Sequence, residues 1–149
     1  MKKDLKLYNI IFPIWLLLLV PPVWLLVLPA NFIVDSLVIL ITMDAIGITR
    51  KKKMYKKSIF KVWIFGFLSD IIGTLFVLGA SIIFNEGGLG DDPAFTIPGV
   101  IIAAVMIFIF NYLISFKRYD KATGFKMAIS LAIFTAPYTF LIPTSWIYY

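Results

Sequence analysis

The chain has no cysteine and no histidine, and charged residues make up only 15% of its 149 positions. The first two absences remove disulfides, thiol chemistry, the usual zinc and haem ligands and the commonest acid or base near neutral pH. No serine has a base within reach of its sequence context, so nucleophilic catalysis has no support. The chain is therefore not expected to be an enzyme, and it offers no cofactor or metal motif. The segment GGLGDDP lacks the spacing of a calcium loop or a phosphate cradle and reads as a solvated turn.

Scarcity of charge is matched by an excess of hydrocarbon. Hydrophobic residues reach 61% of the chain, and the mean hydropathy is +0.96. That much apolar surface does not fit inside one small water-soluble core. The expected fold class is all-α: a polytopic transmembrane helix bundle forming a single integral membrane domain over 1–149, multi-pass in the cell membrane.

Five runs are long enough for the roughly 20 helical residues that cross about 30 Å of hydrocarbon. They fall near residues 9–29, 31–48, 59–84, 99–116 and 126–147. Pro29 is expected to end the first helix and Asn31 to cap the second, making a tight hairpin. A signal peptide is not expected at the start. The apolar stretch is long, it contains Pro13, Pro21 and Pro22, and no small-residue cleavage site follows it. The Pro21-Pro22 pair predicts a kink around residues 17–22, with freed carbonyls that neighbouring helices must satisfy.

The net charge of +6 does not point to nucleic acid, because the basic residues flank apolar runs instead of forming a basic domain. Lys2, Lys3 and Lys6 precede the first run. Arg50, Lys51, Lys52, Lys53, Lys56, Lys57 and Lys61 lie between the second and third, and Lys117, Arg118, Lys121 and Lys126 between the fourth and fifth. The loop with Glu86, Asp91 and Asp92 carries no positive charge. Positive-inside logic then predicts the N-terminus inside and the C-terminus outside. Arg50 to Lys57 are expected to meet the anionic headgroups of the bilayer.

Helical periodicity places Gly66, Asp70, Gly73, Thr74, Val77 and Ser81 on one stripe, Ala128, Ala132, Thr135 and Thr139 on a second, and Ala104, Asn111 and Ser115 on a third. Small residues let helix backbones approach where no hydrophobic effect drives association. The third, fourth and fifth spans are expected to pack together, with Asp70 and Asn111 turned to their shared interior.

Three aspartates fall within the spans, and depth separates them. Asp44 is about 6 Å from the inner end of its helix and Asp35 about 6 Å from the outer end, whereas Asp70 lies about 16 Å above Ile59. Lys51, seven residues on and on the same face, or Arg50 or Arg118 from the same surface, is expected to neutralise Asp44. Asp35 benefits from the positive end of its helix dipole and shares a face with Asn31 and Thr42, opposite Asp44. Asp70 is expected near the midplane with no base at its depth. It must be protonated, paired with Asn111 or Thr135, or bound to a cation.

The expected function is conduction or coupling of a proton or small cation, with Asp70 as the intramembrane site, Asn111 assisting, and Asp35, Asp44, Asn31 and Thr135 as secondary polar groups. The rival reading is a non-transporting accessory or assembly subunit, in which Asp70 fixes helix register. Either reading admits a homo-oligomer or a membrane-protein partner.

Overall fold

The structure, a computed structural model, describes residues 14–84, 92–142 and 146. Among them all regular structure is helical: α1 (Ile14–Leu17), α2 (Pro21–Ala45), α3 (Lys51–Phe84), α4 (Pro93–Phe110) continued by a π-helical turn (Asn111–Ser115), α5 (Lys121–Phe134) and a 3₁₀ turn (Tyr138–Leu141). Four units are long and apolar enough to cross a membrane: Pro21–Ala45, Lys51–Phe84, Pro93–Ser115 and Lys121–Leu141.

The hairpin expected at Pro29-Ala30-Asn31 is not formed. One 25-residue helix, α2, runs through it with Pro29 inside. A proline in mid-helix forfeits one backbone hydrogen bond, but away from water a full break would strand several more, and continuing is cheaper. Asn31 does not cap a new helix. The interruption lies upstream, where Leu18-Leu19-Val20 separate α1 from α2 and Val20 takes extended geometry before the Pro21-Pro22 start. Trp24 Nε1 donates to the carbonyl of Leu18 across 2.7 Å and satisfies a group that the break frees. The stretch 9–13, with Lys2, Lys3, Lys6, Glu86 and Asp91, lies outside the described residues.

Antiparallel packing of α2 on α3 is an aromatic seam. Trp24 meets Phe67 edge to face, Trp63 Nε1 donates to Leu28 O across 2.8 Å, Phe32 sits edge-on to Trp63, and Ser36 and Tyr55 share a hydrogen bond of 2.8 Å. Gly47, at φ +75°, turns α2 into α3 in the left-handed conformation that suits glycine, and Ile48 N closes on Met43 O.

Where α3 crosses α4 the backbones nearly touch. A Cβ on Gly73 would lie 2.8 Å from Gly99 O, and one on Gly99 only 2.3 Å from Val77 Cγ2. The packing therefore requires glycine at both positions. The second interruption is at the end of α5, where Pro137 denies a backbone donor to the preceding turn and the Tyr138 hydroxyl donates to Ile133 O instead.

Two apolar clusters hold the bundle. One gathers Ile39, Met43, Val62, Ile107, Met127 and Leu131, and the other Leu16, Val77, Val100, Ala136 and Phe140. Along α3, Asp70 falls between Val62 and Val77, and hence between the clusters. The outer surface reverses the polarity of a water-soluble protein: Leu25 is 85% and Ile83 73% exposed, whereas Asp35, Asp70, Asn111, Ser69 and Thr74 are buried. A lipid solvent rewards that arrangement and water penalises it.

Candidate intramembrane carboxylate site

Two i, i+4 pairs face each other across the α2–α3 contact, Asn31 and Asp35 on α2 and Gly66 and Asp70 on α3. Such spacing stacks the members of each pair on one helix face. Asn31 Nδ2 donates to Asp70 Oδ2 at 3.4 Å. Asp35 Oδ2 lies over Gly66, 3.4 Å from where a Cβ would stand, so the missing side chain makes the room that Asp35 occupies. Asp35 is 3% and Asp70 6% exposed. Both line a cavity of about 20 Å³ together with Asn31, Val34, Gly66 and Thr135, a volume that suffices for one water or one small ion.

The polar accounting is incomplete at one atom. Among the described residues, Asp70 Oδ1 is buried with no hydrogen-bond partner, whereas its backbone carbonyl takes a bond from Thr74 Oγ1 at 2.9 Å. Thr135, where α5 ends, donates its hydroxyl to Leu131 O at 2.7 Å and keeps its oxygen free to accept. Among the described residues, no lysine or arginine lines the cavity. Two buried carboxyl groups lining one small cavity are costly as a pair of charges, and either a bound cation or protonation of one or both relieves that cost.

Asn31, Val34, Asp70 and Thr135 also line a second, larger space, a cleft of about 470 Å³ between α2 and the 134–140 segment. Leu17 and Leu18 border it on one side, and Ala136 and Pro137 on another. Residues from both helix interruptions, Leu18 and Thr135 to Pro137, thus line the cleft that reaches Asp70. Interrupted helices around an intramembrane polar site are a recurrent device for binding ions away from water.

Asn111 does not belong to this site. Its amide donates to Ile107 O at 2.8 Å and its carbonyl accepts from Ser115 Oγ at 2.8 Å, all within its own helix. The reason is register. With Gly73 opposite Gly99 on antiparallel helices, Asn111 falls about 13 Å along the axis from Asp70. The π turn that follows it places Phe116 N on Asn111 O, five residues apart.

Asp35 lies deeper in its helix than a start at Asn31 predicts. Counting from a helix start at Asn31 put it near a membrane surface, but α2 begins at Pro21, and Asp35 lies about 21 Å into it. The legible signal was the matching pair of spacings, Asn31/Asp35 and Gly66/Asp70. Asp44 pairs with Lys51 at the basic end, and its side chain is 74% exposed. Arg50, Lys53 and Lys57 join Arg118 around a separate cleft at that end, while Lys52 and Lys56 are exposed. Among the described residues, no group of three or more histidine, cysteine or acidic side chains gathers to hold a metal. Compared with known protein families, characterised proteins and solved structures, the chain shows no significant match.

Proposed function

We propose that the protein conducts or couples a proton or small monovalent cation across the cell membrane through the Asp35–Asp70 pair. The observation that carries this reading is the unpartnered Asp70 Oδ1 beside a second buried carboxylate, in a cavity of one-ion size. An intramembrane acid without a compensating base is costly, and its commonest use is to hold a mobile positive charge. Asn31 is the assisting amide, in the role first expected of Asn111.

Orientation belongs to the same proposal. The basic ends of α3 and α5, with Arg50 to Lys61 and Lys117 to Lys126, face the cytoplasm and its anionic headgroups, and the chain leaves α5 on the other side. The four described spans then start α2 on the side opposite the basic loops. Lys2, Lys3 and Lys6 lie outside the described residues, and this orientation rests on the two basic loops alone.

The accessory reading draws less support, because most of the small residues it would offer a partner are taken up inside the chain, with Thr139 exposed and Ala104 and Thr135 half-buried. Gly73, Gly99, Ala103, Ala128 and Ala132 are all buried in the monomer. Flux in proteoliposomes separates the two readings. Under an imposed proton or sodium gradient, wild-type protein should carry the ion, Asp70→Asn should abolish the flux, and Asp35→Asn should reduce it strongly. Equal flux in all three proteins, or none in the wild type, overturns the proposal.

A further inference from the structure

The cleft that reaches Asp70 is far larger than a proton or bare ion needs. Its volume of about 470 Å³ lies in the range of sites for small organic molecules, roughly 300 to 1,000 Å³. The walls are hydrocarbon and aromatic: Leu17, Leu26 and Val27 on one side, Phe134, Tyr138 and Phe140 on the other. Polar groups interrupt the lining at Asn31, Asp70, Thr135 and Thr139, and Asp70 is the acid among them. The carboxylate there is buried and retains an oxygen without a partner.

Charge narrows the choice of occupant. A lipid acyl chain would match the walls and seal Asp70 without a counter-charge. A hydrated inorganic cation would match Asp70 and leave the hydrocarbon walls against water. A second copy of the chain would have to bring a base to this depth, and the described lysines and arginines all cluster between 50 and 61 and between 117 and 126. A molecule with a cationic head and an apolar body matches both ends, and the aromatic rings add attraction for the cation where water is excluded.

We propose that the cleft binds a lipophilic organic cation, its charged head at Asp70 and its body along the wall between α2 and the 134–140 segment. This rests on the preceding reading of Asp70 as a cation site and names the substrate class for it.

The test uses the full chain in detergent and two probes of the same shape and opposite charge, tetraphenylphosphonium and tetraphenylborate, followed by equilibrium dialysis against protein-free micelles. Wild-type protein should bind the phosphonium saturably at one per chain and the borate only as the micelles do. Asp70→Asn should weaken phosphonium binding by about tenfold or more. Ala30→Phe, which fills the cleft wall and leaves both aspartates in place, should abolish it even if Asp70→Asn fails to fold. Equal uptake of the two probes, or phosphonium binding unchanged in both variants, overturns the inference. If the phosphonium does not bind while Asp70-dependent proton or sodium flux persists, this inference fails and the ion reading stands. Saturable, Asp70-dependent phosphonium binding without inorganic ion flux gives the reverse.

Discussion

Asn31 Nδ2 and Asp70 Oδ2 lie 3.4 Å apart, joining α2 to α3 at the depth where the other oxygen of Asp70 has no partner. Removing the donor leaves both oxygens of the buried carboxylate without a hydrogen bond from any described residue. Asn31→Ala is expected to cost about 1 to 3 kcal/mol, read as a lowered denaturation midpoint in detergent. In an Asp70→Leu background the same change should cost less, because no carboxylate remains to be stranded. A double-mutant cycle should then show a coupling of about 0.5 kcal/mol or more. Additive effects would mean that the two side chains do not support each other.

The contact between Gly73 and Gly99 sets the register of α3 against α4 and so decides which residues reach Asp70. A methyl group on Gly73 would press on the Gly99 carbonyl at 2.8 Å and on Ala103 Cβ at 3.0 Å. Neither neighbour is the yielding end of a flexible side chain. Gly73→Ala is expected to destabilise by about 1 to 3 kcal/mol. Gly79 is an internal control on the same helix, since no described residue lies within 4 Å of its added Cβ. There the substitution should be neutral or stabilise by roughly 0.5 to 1 kcal/mol. Equal responses at the two positions, compared by thermal unfolding, would contradict the close crossing.

Much of this arrangement was legible in the residue pattern, and the failures share a cause. The stripe Gly66, Asp70, Gly73, Thr74, Val77 and Ser81 is buried along its whole length, because in lipid the small and polar residues of a span have only protein to face. Ala128 and Ala132 of the second stripe are buried for the same reason, whereas Thr135 is half-buried and Thr139 exposed, because α5 ends at Phe134. Lys51 reaches Asp44, and the helix breaks where Pro21-Pro22 predicted, at 18–20. Local rules failed at Pro29, where a proline's usual effect yields to the cost of exposing backbone away from water. That misreading moved Asp35 to the wrong depth. The partner of Asp70 was also beyond a single-helix pattern. Periodicity correctly aligned Asn111 with Ser115, but the relative height of two helices depends on where their backbones cross, and Gly73 and Gly99 mark that point only once seen together.

Asp120 offers a pH test outside the membrane. It caps α5, accepting from Thr123 N at 3.1 Å, and hydrogen bonding to Thr123 holds its carboxyl below the usual aspartate range. The folded state therefore favours the ionised form, and the contribution is complete above the unfolded value of about 3.9. It is lost as pH falls through the lower folded value. Asp120→Ala should lower the denaturation midpoint near neutral pH, and Asp120→Asn should recover most of the loss, because an amide oxygen also caps. The gap between wild type and Asp120→Ala should close as the pH drops below the ordinary aspartate range. A gap that widens on acidification would show that the carboxylate does not act as a cap.

Threading can be tested cleanly because the chain has no native cysteine, so any single introduced thiol is the sole target of a maleimide. Lys52 and Lys121 are exposed at the starts of α3 and α5, and Ala94 is exposed at the start of α4. With α3 and α4 each crossing once, Lys52→Cys and Lys121→Cys must share a compartment that Ala94→Cys does not. The clustering of lysine and arginine at the first two positions assigns that compartment to the cytoplasm. A membrane-impermeant maleimide should label Ala94→Cys in intact cells and the other two only in inverted vesicles. The opposite assignment would leave the helix bundle standing and overturn the orientation. Labelling of Lys52→Cys and Ala94→Cys from the same side would remove α3 from the membrane and, with it, any intramembrane role for Asp70.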